Sequence, residues 1–251
     1  MQNRQWMTMG LLLTLAASPT WAQSQRMAVP SYFGPGSLWT KMGAAAPHVG
    51  LTIINPNSGP GEAVRADYVD QVKAMQAKGV RVLGYVHTSY GKRPIAEVQT
   101  EIDRFNQWYH VDGIFFDESS NDDASLPYYK QCLTVARAGN PKAIVMINPG
   151  TPVTEGYMNV ADVILTFESD YNAYLKRAPD AAWVAKYPAR RFMHLIYGAP
   201  DAAAMRKAVQ LGKKWHAGWM YVTPDTLPNP WDTLPEGAYW SGELKTLGAA
   251  K

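Results

Sequence analysis

Cysteine is almost absent. Cys132 stands by itself among 251 residues, so no internal disulfide can brace the chain and the fold must rest on its core. Its setting, Tyr128-Tyr129-Lys130-Gln131-Cys132-Leu133, reads as a buried helical position rather than a nucleophile. An excess of one charge is lacking as well. With 24 Lys+Arg against 21 Asp+Glu the formal net charge is +3. The basic pairs Arg190-Arg191 and Lys213-Lys214 are ordinary surface pairs, so no nucleic-acid partner is expected. Apolar runs stay short of the roughly 20 residues that a spanning helix needs, which argues against stable membrane insertion. The nucleotide-binding fingerprints Gly-x-Gly-x-x-Gly and Gly-x4-Gly-Lys-Ser/Thr are missing, as are the Gly-x-Ser-x-Gly elbow and His-Glu-x-x-His. His48, His87, His110, His194 and His216 show no pair at ligand spacing. The acidic stretch Asp117, Glu118, Asp122 and Asp123 matches no EF-hand loop. No metal and no cofactor is therefore expected, and no feature sets an oligomeric state.

The first residues read differently from the rest. Arg4 precedes the apolar run from Met9 to Ala17, and Ser18-Pro19-Thr20-Trp21-Ala22 follows with small residues at the cleavage-like positions. This predicts a secretory leader over residues 1–22, a domain over residues 23–251, and export to the periplasm or beyond. With 47% hydrophobic and 18% charged content, that remainder suits one large globular domain.

From residue 27 onward, short runs rich in β-branched and aromatic residues alternate with longer amphipathic segments, the pattern of repeated βα units. Eight strands are expected: Met27 to Phe33, Val49 to Asn55, Arg81 to Thr88, Asp112 to Glu118, Ala143 to Asn148, Val163 to Glu168, Arg191 to Tyr197 and Gly218 to Thr223. The clearest helices are Val64 to Lys78, Ile95 to Tyr109, Pro127 to Ala138, Asp201 to Trp215 and Gly237 to Leu247. Val64, Val69, Val72 and Met75 should share the buried face of the first of these, with Gly79 as its C-terminal stop. Eight units without a linker favour an α/β fold of the (β/α)8 TIM-barrel type in a single domain. An open doubly wound sheet is the runner-up, since periodicity does not show closure.

In such a barrel the chemistry sits at the C-terminal strand ends, and here those ends are polar. They carry Tyr32, Asn55, Tyr85 with His87 and nearby Tyr90, the pair Asp117-Glu118, Asn148, Glu168, Tyr197, and Tyr221 with Asp225. Val111 to Glu118 is an apolar strand that runs into two adjacent carboxylates, and Val163 to Glu168 repeats the design two strands later. Burying charge without a partner is expensive, so each acidic end is either a solvated exit or part of a working cleft. Adjacent strand residues face opposite ways. Asp117 and Glu118 can therefore serve one site only if the backbone turns there. Two acids converging on one mouth suit glycoside hydrolysis, in which one carboxyl gives a proton and another is ionised to attack, to stabilise the sugar cation or to activate water. Strand-end tyrosines can stack on sugar rings, while most of the tryptophans are needed to fill the core. A barrel that binds polysaccharide without cutting it, or a metal-dependent lyase or phosphodiesterase, also fits such a mouth.

The segments Val29-Pro30-Ser31-Tyr32-Phe33, Ile53 to Gly61, Val82 to Gly91 and Trp108 to Glu118, followed in order by Asn148-Pro149-Gly150-Thr151, Ala161-Asp162 and Phe167-Glu168, together resemble the spherulin-4 family. The resemblance implies a (β/α)8 glycoside hydrolase acting inside α-1,4-linked polysaccharide that contains galactosamine and N-acetylgalactosamine, such as galactosaminogalactan. It also implies that Asp117, Glu118 and Glu168 are the catalytic carboxylates. Tyr32, Asn55, Tyr85, His87, Tyr90, Asn148, Tyr197, Tyr221 and Asp225 are expected around the substrate on strand-end position.

Overall fold

The computed structural model describes residues 25–248; the expected leader over residues 1–22 lies outside them. Eight parallel strands close into a barrel in chain order, β1-β2-β3-β4-β5-β6-β7-β8, with β8 returning to β1 through Arg26 opposite Trp219 and Met27 opposite Met220. The strands are β1 Arg26–Ser31, β2 Val49–Ile54, β3 Arg81–His87, β4 Gly113–Asp117, β5 Ile144–Ile147, β6 Val163–Asp170, β7 Phe192–Tyr197 and β8 Trp219–Val222. Each lies within three residues of the expected bounds at either end. Closure removes the open sheet as an alternative.

Helices α1 Ser37–Ala44, α2 Ala66–Ala77, α3 Ile95–Arg104, α4 Leu126–Ala138, α5 Tyr171–Leu175, α6 Ala202–Lys214 and α7 Gly237–Gly248 surround the strands. The pairing is imperfect. Between β5 and β6 the described chain makes a 3-10 turn, Glu155–Asn159, where a full helix belongs in an ideal barrel. In α2, Val72 and Met75 are buried as expected, but Val64 precedes the helix and is exposed. Gly79 ends the helix at φ +76°, a left-handed backbone that only glycine adopts without strain.

The segment expected as one helix from Ile95 to Tyr109 is two structures. After α3 the backbone widens into a π turn over Phe105–Tyr109 and stops at His110 with φ +51°. Two contacts accompany the widening. Phe105 presses its ring onto the main chain of Gly84 in β3, where any Cβ would collide with it. Tyr109 turns its hydroxyl to the carbonyl of Pro60 at 3.2 Å.

Strands and helices enclose one continuous apolar core that includes Trp39, Phe115, Phe116, Tyr157 and Phe192, each nearly inaccessible. Each such side chain contributes roughly 1.5–3 kcal/mol on burial. Cys132 is a free thiol inside this core, on α4, and burial pushes its pKa up to about 12. It is inert packing, as expected.

Candidate active site

Ile114, Phe115 and Phe116 bury β4 on both faces, and the strand ends on Asp117. Glu118 then takes a left-handed backbone, φ +48°, which is the turn the adjacent acids require if both are to serve one mouth. Neighbouring main chain fixes the turn. The Thr88 amide donates to the Asp117 carbonyl at 3.0 Å, the Tyr90 amide to the Glu118 carbonyl at 2.7 Å, and the Ser119 amide to the Asn148 carbonyl at 2.9 Å.

One strand over, Asn148 follows β5, tied by its amide to the Phe116 carbonyl at 2.8 Å. Gly150 has φ +64° and offers its carbonyl to the Glu168 amide at 3.0 Å. Glu168 sits within β6, three residues past Leu165. Between Leu165 and Phe167 the pairing with β7 shifts by one residue, a bulge of the kind that re-aims a side chain.

These elements bring two carboxyls together on one amide. Asn148 Nδ2 donates to Asp117 Oδ1 at 2.7 Å and to Glu168 Oε2 at 2.6 Å. Asn148 Oδ1 is buried without a partner, and the opposite amide orientation would set that oxygen against two carboxyl oxygens. The two acceptor oxygens can be no farther apart than the sum of those two distances. That bound, which holds for the two hydrogen-bonded oxygens, falls short of the roughly 6.5 Å at which inverting pairs begin.

Among the described residues no cation balances the pair. Burial pushes Glu168 up to about 7, with the charge of Asp117 adding to the rise; hydrogen bonds from Asn148 and Trp231 oppose it. Asp117 is also raised by burial, against three hydrogen bonds that favour its charge, from the Tyr85 hydroxyl, the Glu118 amide and Asn148. Two facing acids of this kind titrate as a unit. With three donors against two, the first proton taken up settles on Glu168. Tyr85 and Tyr32 stay neutral, since burial and the neighbouring carboxylates push both hydroxyls far above their usual range. Their rings meet edge to face at 5.7 Å.

A cavity of about 340 Å³ opens over the pair, lined by Tyr90, Asp117, Glu118, Asn148, Pro149, Gly150 and Glu168. Glu118 is the accessible acid at its lip, its side chain 45% exposed and 3.7 Å from His87 Nδ1. Tyr90 is exposed, held at φ +55° beside it. Among the described residues, no group of three or more His, Cys, Asp or Glu side chains is arranged to hold a metal ion.

Other expected ligands lie elsewhere or serve the scaffold. Tyr221 is fully buried and donates its hydroxyl to the Thr233 carbonyl at 3.1 Å; it is a core residue, because its hydroxyl meets the underside of the loop after β8. Asn55 accepts from the Gly59 amide at 2.8 Å and Asp225 from the Thr226 amide at 2.8 Å, so both side chains shape their own loops. Tyr197 is half-buried against Trp231, with ring centres 6.3 Å apart. Trp231 itself was not among the expected site residues, yet its indole Nε1 donates to Glu168 Oε1 at 3.1 Å. It stands 63 residues from its partner, in a loop, and no local pattern could have announced it.

Comparison with known proteins agrees with the barrel fold. A family profile described as Spherulation-specific family 4 matches residues 26–247. Spherulin-4 of Physarum polycephalum is 32% identical over 196 residues, which is 70% of this chain and 59% of that protein; the chain thus spans about three fifths of that curated relative. Among solved structures, Aspergillus clavatus Sph3 in complex with GalNAc aligns with a TM-score of 0.78 at 25% identity, covering 91% of this chain and 99% of the other. The chitinase RmChi1 from Rhizomucor miehei aligns at 0.54 and 14% identity over 89% of this chain and 100% of its own, a likeness of fold.

Proposed function

The chain belongs to the spherulation-specific family 4, and from that premise we propose that it is a glycoside hydrolase cutting internal α-1,4 linkages of a polysaccharide that contains galactosamine and N-acetylgalactosamine. The observation that carries the reading is the Asp117–Glu168 pair joined by Asn148 at the floor of an open cleft. The family resemblance supports the substrate class, as does the GalNAc bound by a relative that shares nearly the whole fold.

The chemistry follows from the unequal environments. Glu168, holding its proton near neutral pH, gives it to the glycosidic oxygen as the bond to the anomeric carbon breaks. Asp117, ionised and held by three donors, attacks that carbon and forms a covalent glycosyl ester. The leaving chain departs as an alcohol. Glu168, now charged, takes a proton from water, the resulting hydroxide displaces Asp117, and the sugar leaves with its original anomeric configuration. Glu118 and Tyr90 at the lip contact the incoming chain. By the same reading the protein acts outside the cytoplasm, where such polymers lie.

Incubation with defined N-acetylgalactosamine and galactosamine oligomers, followed by mass spectrometry and by NMR of the new reducing end, tests this. Internal cleavage with retained configuration is expected. Binding without product release would make the protein a polysaccharide-binding barrel, and inverted product would dismiss Asp117 and Glu168 as the pair.

A further inference from the structure

Glu168 is gripped from two sides. Its Oε2 accepts from Asn148 at 2.6 Å and its Oε1 from the indole of Trp231 at 3.1 Å. Trp231 comes from the loop that joins β8 to α7, and three strand ends hold it. Its ring packs between Tyr197 of β7 and Tyr221 of β8, at 6.3 and 5.9 Å between centres. Its carbonyl accepts from the amide of Tyr32, just past β1, at 3.1 Å. Its own amide reaches Asn229 Oδ1 at 3.3 Å. Only 5% of the residue is exposed.

We propose that Trp231 is a positioning residue for the reaction, its indole N–H fixing the plane of the Glu168 carboxyl and favouring its charged form in concert with Asn148. The inference rests on the hydrolase reading for its consequence in turnover, but the clamp itself exists without substrate. A donor on each oxygen stabilises a carboxylate more than a neutral acid. The clamp therefore works against burial, which by itself would hold the proton too tightly to be given up. The titratable groups that face Glu168 are Asp117 from β4, Tyr85 from β3 and Tyr32 beyond β1. The tyrosines remain neutral over the working range. The remaining tunable contributions are thus the two N–H donors, and Trp231 can lose its donor without changing its bulk greatly.

Trp231→Phe keeps a ring between Tyr197 and Tyr221 and deletes the N–H. The δ-carbon of Glu168, followed by NMR in protein carrying 13C-labelled glutamate and assigned with Glu168→Gln, reports its titration directly. Loss of one hydrogen bond to the charged form should raise its midpoint by about one pH unit. The alkaline limb of kcat/KM should move up equally, with KM little changed. A folded Trp231→Phe protein whose Glu168 midpoint stays in place overturns the proposal. A measurement on the unaltered protein covers the case in which the variant does not fold: the Trp231 indole N–H resonance must shift with the Glu168 midpoint, and an indole signal flat across that range also overturns it. Neither spectrum requires substrate, so a protein that cleaves no polymer can still pass this test, and an active one can fail it.

Discussion

Asp112 and Asp162 precede β4 and β6 at one rim of the barrel; Asp117 and Glu168 lie toward the other ends of the same two strands. Asp112 accepts from Arg81 at 2.8 Å, from Gln76 at 3.1 Å and from the Val82 amide at 2.9 Å. Asp162 takes Arg137 on both oxygens at 2.8 and 2.7 Å and the Val145 amide at 2.8 Å. Each clasps the preceding strand with a guanidinium beside it. Asp117 and Glu168 meet neutral donors alone, Asn148, Tyr85, Trp231 and a backbone amide. The first arrangement sets each carboxylate against a guanidinium and fixes strand register. The second destabilises charge in the fold, and a proton that can be exchanged near neutrality is the result.

Removing the carboxyls at the mouth should separate the two rims most sharply. Asp117→Asn and Glu168→Gln are each expected to lower kcat on galactosamine-type oligomers by about 10³-fold or more while the protein stays folded, read by product release and circular dichroism. Glu118→Gln removes an accessible acid of the lip and should lower kcat/KM by roughly 10- to 100-fold, the size of a lost charge-assisted contact. If Glu118→Gln proved as damaging as Glu168→Gln, the restriction of the catalytic pair to Asp117 and Glu168 would fail. The unaltered protein should show a bell-shaped pH profile whose alkaline limb falls near 7, because Glu168 must enter protonated.

The mouth also leaves a signature in stability. The folded-state pKa of Glu168, about 7, lies above the usual carboxylate value, so the native state binds its proton more tightly than the unfolded chain. Below the unfolded pKa both states are protonated and nothing is lost. As pH rises from there to about 7 the unfolded chain ionises first and stability falls, by on the order of 3 kcal/mol once both are charged. Glu168→Gln escapes that loss. Urea unfolding should find it more stable than the parent at pH 8 by about 2 kcal/mol and nearly equal at pH 4; the same difference at both values would mean that Glu168 ionises freely.

How much of this was legible in the sequence depended on whether one residue's neighbours in the chain decide its place. Apolar strands that carry Asp117 and Glu168 could be read, because a β-rich apolar run closing on a carboxylate has few other uses in a repeating βα chain, although β6 runs two residues past Glu168 to Asp170. That Asp117 turns inward while Glu118 takes the lip could not, since it depends on the left-handed backbone at Glu118 and on the Thr88 and Tyr90 amides that hold it. That Tyr221, expected at the substrate, is a core residue while Trp231 meets Glu168 was hidden for the same reason. Both are large aromatics near the last strand, and only the path of the loop after β8 decides which meets Glu168 and which meets Thr233. The π turn at Phe105 was hidden as well: its ring packs on the bare backbone of Gly84 in β3, a contact between elements rather than along the helix.

The smallest effects belong to the paired rim, and they rank the two clasps. The Asp112 side chain is 15% exposed and that of Asp162 is 41%, so water screens the second far more. Asp112→Asn should cost about 1–2 kcal/mol: it removes the charge that holds the Val82 amide, Arg81 and Gln76 together where solvent does not replace it well. Asp162→Asn should cost under about 1 kcal/mol, and part of that should vanish in high salt, as for exposed ion pairs. Neither should move the pH profile, since the clasps sit at the rim opposite the cleft. Urea unfolding at low and high salt, paired with kcat/KM across pH, measures both halves of this expectation. A shift of the alkaline limb in either variant would show that the clasps reach the mouth through β4 or β6, and the division of labour between the rims would then fail.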